Sequence, residues 1–162
     1  MRIAVVSGGT KGIGRAISEK LLQNGCKVYV IARTNDNEFT HENLIQYTAD
    51  FSLKSGIASF TEFLFSHESV VDILVNNVGV FIPGKLMEEG DGSFEKQINT
   101  NLASTYHLTR HTFDAIKKSD KPYIFNICST ASITPYLNGG SYCVSKYAQL
   151  GFTKVLREEL KE

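Results

Sequence analysis

The chain has 162 residues, with 17 lysines and arginines balanced by 17 aspartates and glutamates. A chain of this size buries about 70% of its unfolded surface in one compact unit, and its charge balance excludes the bulk electrostatics that draw a protein to nucleic acid or to an anionic membrane. Cys26, Cys128 and Cys143 are odd in number and lack CxxC spacing, no charged-then-apolar leader precedes the first strand, and no apolar run approaches the roughly 20 residues of a membrane-spanning helix. A reduced, cytoplasmic protein with free thiols, no metal and a small-molecule ligand is expected.

Residues 2–6 form a short β-rich run that stops at Ser7-Gly8-Gly9, and Ile13, Ala16, Ile17, Leu21 and Leu22 follow at helical spacing. Asn24-Gly25 closes that helix as a left-handed cap, and residues 27–32 are again β-rich, completing a βαβ unit. Residues 35–42 are polar and read as a loop, 44–49 as a third strand and 53–65 as an amphipathic helix. Residues 71–75 are nearly all apolar, as a strand covered on both faces should be. A long loop over 79–90 suggests a functional rim. Asp91 or Ser93 is placed to cap a long helix running towards Lys118, residues 122–127 read as a fifth strand, and residues 141–161 as a final helix. Strands alternating with helices imply a parallel, doubly wound α/β sheet without internal repeat or linker.

Ser7-Gly8-Gly9-Thr10-Lys11-Gly12-Ile13-Gly14 lies between the first strand and first helix, where this topology places a dinucleotide pyrophosphate. Its glycines let the backbone turn tightly, and free N–H groups at the helix start suit an anion. The spacing is GxxxGxG, and glycines also serve plain turns. Tyr142 and Lys146 are four apart and share one helix face. Read alone, such a pair is a packed ring beside a solvated charge, Ser129 a turn or cap, and Asn101 a helix-surface amide.

Together these residues resemble the short-chain dehydrogenase/reductase family. Residues 7–14 are similar to its TGxxxGIG element, with Ser7 for threonine, and Asn76-Asn77-Val78-Gly79 to its NNAG element, with Val78 for alanine. Residues 142–146 match its YxxxK, and Ser129 lies 13 positions before Tyr142. The resemblance implies a three-layer Rossmann fold over residues 1–162 as one NAD(P)-binding domain, with five strands in the order 3-2-1-4-5. Members of the family are longer, so the last two strands and the substrate-covering region are expected to be missing.

The resemblance also implies roles. Asn101, Ser129, Tyr142 and Lys146 would be catalytic. A phenol is a poor base near neutrality, and a neighbouring ammonium with an oxidised nicotinamide would favour its phenolate. Ser129 would donate to the substrate oxygen where charge develops. Lys146 would hold ribose hydroxyls, and Asn101 would steady a water leading from it to solvent. The turn residues Gly8, Thr10, Lys11, Gly12, Ile13 and Gly14 would contact the cofactor, as would Phe51, Asn77, Gly79, Tyr142 and Lys146. Asp50 resembles the aspartate that takes the adenine amino group, while a turn capping the next helix explains it equally well.

An NAD-selective site places an acid at the end of the second strand. Here that end carries Arg33, which with Lys11 suits a 2′-phosphate, so NADP(H) is expected over NAD(H). Asp36 would restore NAD(H) binding if its loop folded back.

His107 and His111 are helical neighbours without a third metal ligand, and Ser129 lacks the GxSxG of a serine hydrolase. The expected function is an NADP(H)-dependent oxidoreductase acting on a small carbonyl or alcohol, loosely like 3-oxoacyl-acyl-carrier-protein reductases. The alternative is a truncated, non-catalytic dinucleotide-binding or regulatory domain. Val80, Phe81, Ile82, Ile133, Pro135 and Leu137 suit an apolar substrate side or, equally, plain hydrophobic loop anchors. Phe113, Phe152 and Leu156 are candidates for a homodimer or homotetramer contact, with core packing as the alternative.

Overall fold

The computed structural model describes residues 1–161. In chain order the elements are β1 (Ile3–Ser7), α1 (Gly12–Gln23), β2 (Lys27–Ala32), β3 (Leu44–Thr48), α2 (Lys54–Phe65), β4 (Ile73–Asn76), α3 (Ser93–Ile98), α4 (Ser104–Ile116), β5 (Tyr123–Asn126) and α5 (Gly140–Glu159). The five strands pair in parallel in the order β3-β2-β1-β4-β5. This is the expected doubly wound arrangement, and it sets the carboxyl ends of β1 and β4 side by side.

The alternation of side chains divides the core into two layers. Ile3 and Val5 of β1, Tyr29 and Ile31 of β2 and Leu74 of β4 meet Phe60 and Leu64 of α2 and Leu108 of α4 on one face. Ala4, Val6, Val28, Val30, Ile73 and Val75 point to the other, where Leu22 of α1 and Cys26 cover them. At the β5 edge, Tyr123 and Phe125 project on the α1 side, 40% and 50% exposed and stacked with ring centroids 5.9 Å apart.

Two expectations need correction. The fourth strand starts at Ile73, because Val71 instead sends its N–H to Ala115 at the end of α4 and lies wholly buried beneath it. The expected long helix before Lys118 is broken into α3 and α4 by a π-helical turn at Asn99–Ala103. Neither Asp91 nor Ser93 caps its start. Gly92 does, at φ 80°, while the Ser93 hydroxyl turns inward and accepts from the buried Gln97 amide at 3.4 Å.

Candidate active site

The turn after β1 is tied to the end of β4. The Ser7 hydroxyl accepts the N–H groups of Asn77 (3.0 Å) and Val78 (3.1 Å), and the Asn77 amide donates to the carbonyls of Ser7 (3.0 Å) and Gly8 (3.1 Å). Gly8 and Gly12 take positive φ, at 67° and 53°. Gly14 is demanded by crowding instead: a Cβ there would stand 2.2 Å from the Gly8 carbonyl oxygen. The start of α1 has neither a side-chain cap nor an acidic residue in its first turn, which leaves its N–H groups to an anion. The packed glycine cradle and its donors therefore fit a dinucleotide's pyrophosphate.

A cleft of about 410 Å³ runs from this turn across the strand ends. Of the expected cofactor contacts, Gly8, Thr10, Lys11, Arg33, Asp50, Phe51, Asn77 and Gly79 line it and Tyr142 and Lys146 do not, while Lys96 and Thr100, which sequence reasoning did not single out, join the lining. Gly12, Ile13 and Gly14 form the first residues of α1 beside it, with Ile13 exposed. The Phe51 ring packs on Phe60 at 5.8 Å. Asp50 does not cap α2, whose N-cap is Leu53. It accepts from the Ser52 hydroxyl (2.7 Å) and N–H (2.9 Å), and the hydroxyl bond first of all holds its carboxyl below the ordinary range.

Asp36 does not join the cleft lining. Its loop does fold back, but towards α1, where Arg15 Nη1 meets the carboxylate at 2.5 Å, and Gln46 pins its backbone at both N–H and C=O (2.8 Å each).

The candidate catalytic residues gather beyond Gly79. Lys146 is 5% exposed on α5, its Nζ donating to the Ile127 carbonyl at 2.9 Å and to Gln149 Oε1 at 2.8 Å. Burial lowers its pKa from the ordinary lysine value. Nζ lies 6.0 Å from the centroid of the half-buried Tyr142 ring, which also meets Phe81 edge-on at 4.9 Å. Helical spacing thus brings Tyr142 and Lys146 together.

Asn101 lies within the π-helical turn, fully buried. Its side chain holds both the N–H (2.7 Å) and the C=O (3.0 Å) of Val80 and donates to Ser145 Oγ at 2.8 Å. Its side chain thus binds the loop after β4 and α5, and it faces Lys146 across Gly79: a Cβ on that glycine would lie 3.5 Å from Asn101 Oδ1 and 3.7 Å from Lys146 Nζ. Ser129 ends the segment after β5, where its oxygen accepts the Ala131 N–H at 3.1 Å as the cap of a short 3₁₀ turn. That bond uses a lone pair and leaves the hydroxyl hydrogen available to another acceptor. Capping and donation are compatible in this serine.

Of the residues expected on a substrate side, Phe81 borders Tyr142, and Pro135 and Leu137 line an apolar cavity of about 550 Å³ with Leu86, Tyr136 and Tyr147. Val80 and Ile82 are instead anchored by their backbones, to Asn101 and Gln97 respectively. Ile133 is 72% exposed and outside that cavity. Of the candidate contact residues, Phe152 meets the exposed Tyr106 edge-on at 6.1 Å, Phe113 lies under Lys117, and Leu156 lines a groove with Ile124. His111 reaches Thr61 at 3.4 Å, and among the described residues no cluster of three metal-binding side chains forms. No described helix is long and apolar enough to cross a membrane.

Sequence reasoning missed Ser7 as a clasp, Gln149 as a partner of Lys146, and Glu89, whose carboxylate accepts the N–H of Ser141 at 2.8 Å and its hydroxyl at the start of α5. Gln149 carried a signal: it lies three residues beyond Lys146 on a recognisable helix. Glu89 carried none, because its partner is 52 residues away.

The chain is 33% identical over 175 residues to human dehydrogenase/reductase SDR family member 11, covering 99% of this chain and 67% of that protein. It is 33% identical over 167 residues to the 3-oxoacyl-[acyl-carrier-protein] reductase FabG of Haemophilus influenzae, covering 98% of this chain and 68% of the reductase. A metagenomic short-chain oxidoreductase crystallised with NADP superposes with a TM-score of 0.88 at 30% identity, over 99% of this chain and 76% of that one. The chain thus spans about two thirds of the length of these curated relatives. A family model described as short chain dehydrogenase matches residues 2–162, the stretch that carries both the glycine turn and the buried Lys146, and the chain belongs to that family.

Proposed function

We propose that the protein is an NADP(H)-dependent oxidoreductase that interconverts a small carbonyl compound and its alcohol, with Tyr142 as the acid–base group. The observation that carries this reading is that Lys146, with Tyr142 beside it, lies directly behind Gly79, which lines the glycine-cradled cleft. When bound, the dinucleotide would supply or accept the hydride.

In reduction, Tyr142 gives its hydroxyl proton to the substrate oxygen as the carbonyl carbon gains hydride, and the product is the alcohol. Ser129 donates its hydroxyl hydrogen to the same oxygen, where negative charge grows. Lys146 holds a ribose hydroxyl and keeps a positive charge near the phenol. Asn101 fixes Val80 and so the wall of the site. Gly8, Thr10, Lys11, Gly12, Ile13 and Gly14 take the pyrophosphate side, Asp50 and Phe51 the adenine, and Asn77 and Gly79 the nicotinamide ribose.

NADP(H) is favoured over NAD(H) because Lys11 and Arg33 line the cleft while Asp36 is drawn away by Arg15. The apolar surroundings of Tyr142 favour an apolar ketone or an acyl thioester, in a homodimer or homotetramer formed through α4 and α5 in the cytoplasm. The exposure of Ile133 and Leu137, 72% and 79%, favours a second reading, a dinucleotide-binding domain without turnover by these residues alone.

Titration with NADPH and NADH, followed by NADPH oxidation with a panel of ketones and 3-oxoacyl thioesters, decides among these. Turnover lost in Tyr142→Phe with NADPH binding retained supports the enzyme. Binding without turnover supports the second reading, and tighter binding of NADH than NADPH sinks the cofactor assignment.

A further inference from the structure

Lys146 is held by more of the protein than its position on α5 requires. Of its three ammonium hydrogens, one goes to the Ile127 carbonyl and one to the Gln149 side-chain oxygen. Gln149 is fully buried, and burying an amide is costly unless both of its ends are bonded. Here they are: Nε2 donates to Thr105 Oγ1 at 3.1 Å, and that hydroxyl in turn donates to the Asn101 carbonyl at 3.2 Å. The direction of this chain is fixed by its two ends. A backbone carbonyl can only accept, so Thr105 donates to it and must accept from Gln149, whose oxygen then faces the ammonium. An apolar residue at 149 would fill the same space and leave Nζ held by the Ile127 carbonyl alone.

We propose that Gln149 is a positioning residue that clamps Lys146, leaving one ammonium hydrogen directed to a ligand in the cleft. This rests on the reading that Lys146 meets the dinucleotide. Asn101 thereby serves the site twice, by its side chain through Val80 and Ser145, and by its backbone through Thr105 and Gln149.

The test uses the full chain with two independent readouts. The first is acetic anhydride labelling of Lys146 in the absence of cofactor, measured by mass spectrometry against the exposed Lys20. A hydrogen bond to a charged group contributes about 1.5–3 kcal/mol, so Gln149→Met raises Lys146 labelling by about tenfold or more. Gln149→Glu, which keeps an acceptor, lowers it. Thr105→Val, a milder change at the far end of the chain, raises it less. The second readout is the NADPH dissociation constant by fluorescence. Gln149→Met weakens binding about tenfold in the native background, by the same bond energy, and leaves it unchanged in a Lys146→Met background.

Equal weakening in both backgrounds marks a merely structural residue and overturns the proposal. So does Lys146 labelling that is unchanged in both Gln149→Met and Thr105→Val. A native protein that binds no NADPH but shows the labelling response supports the clamp and removes the cofactor reading instead.

Discussion

Arg15 on α1 and Asp36 in the loop after β2 form an ion pair at 2.5 Å that turns an acidic residue away from the cofactor cleft. Arg15 is shared with Glu19 at 2.9 Å and stacks over Phe39 at 4.8 Å, so the guanidinium is fixed on three sides. Arg15→Ala is expected to release the Asp36 carboxylate towards Arg33 and shift the ratio of NADPH to NADH affinity towards NADH by about tenfold, the lower end of what a charged hydrogen bond contributes. Parallel titrations with both nucleotides check it, and an unchanged ratio would show that Asp36 has no bearing on selectivity.

Lys146 gives a pH dependence whose sign can be worked out. Burial depresses its pKa in the folded chain. Between that depressed value and the ordinary lysine range the unfolded chain binds more protons, so stability rises with pH across the window; below it the full cost of the buried ammonium is present. Urea unfolding between neutral pH and about pH 10, the ordinary lysine range, should show a stability difference, native minus Lys146→Met, that climbs with pH. A flat or falling difference would refute the linkage.

The glycines of the turn should differ in their response to substitution. Gly14→Ala drives a methyl into the Gly8 carbonyl and to 2.4 Å from the Asn77 amide, and is expected to cost about 1–3 kcal/mol and to abolish nucleotide binding. Gly12 has open space around its missing Cβ, so Gly12→Ala meets only the backbone penalty of the left-handed region, about 1–2 kcal/mol. Thermal unfolding and NADPH titration of the two variants side by side measure the contrast.

Tyr123 and Phe125 stand on an edge strand, with Arg2 over the Tyr123 ring at 5.3 Å. An apolar pair on a sheet edge invites pairing with another chain. Phe125→Lys should therefore remove any association through this edge that adds to the proposed α4 and α5 contact, seen as a smaller limiting species in sedimentation velocity, whereas identical profiles would leave the α4 and α5 contact to account for all association.

Much of the architecture was legible because the signals were local. The βαβ period, the glycine turn and the Tyr142–Lys146 spacing each depend on residues a few positions apart, and the sheet order follows once the family is recognised. The features that stayed hidden depend on distance and direction. Asp36 lies near enough in sequence to serve the cofactor, yet a salt bridge to α1 decides which way it points. Asn101 was found as a helix asparagine, but the π-helical turn around it was not, since Asn99–Ala103 contains neither proline nor glycine to announce a break.

That turn has a consequence for how the chain tolerates changes in length. A π-helical turn holds one residue more than an α-helix needs, and the surplus rotates α3 relative to α4. Lys96 and Thr100 can therefore look into the cleft while Leu108 and Ala115, further along, look into the core. Removing one residue of this turn other than Asn101 would let the helix run straight. It would also swing Asn101 off Val80 and Ser145 and Gln97 off Ile82, so regularising the helix would cost the site its wall.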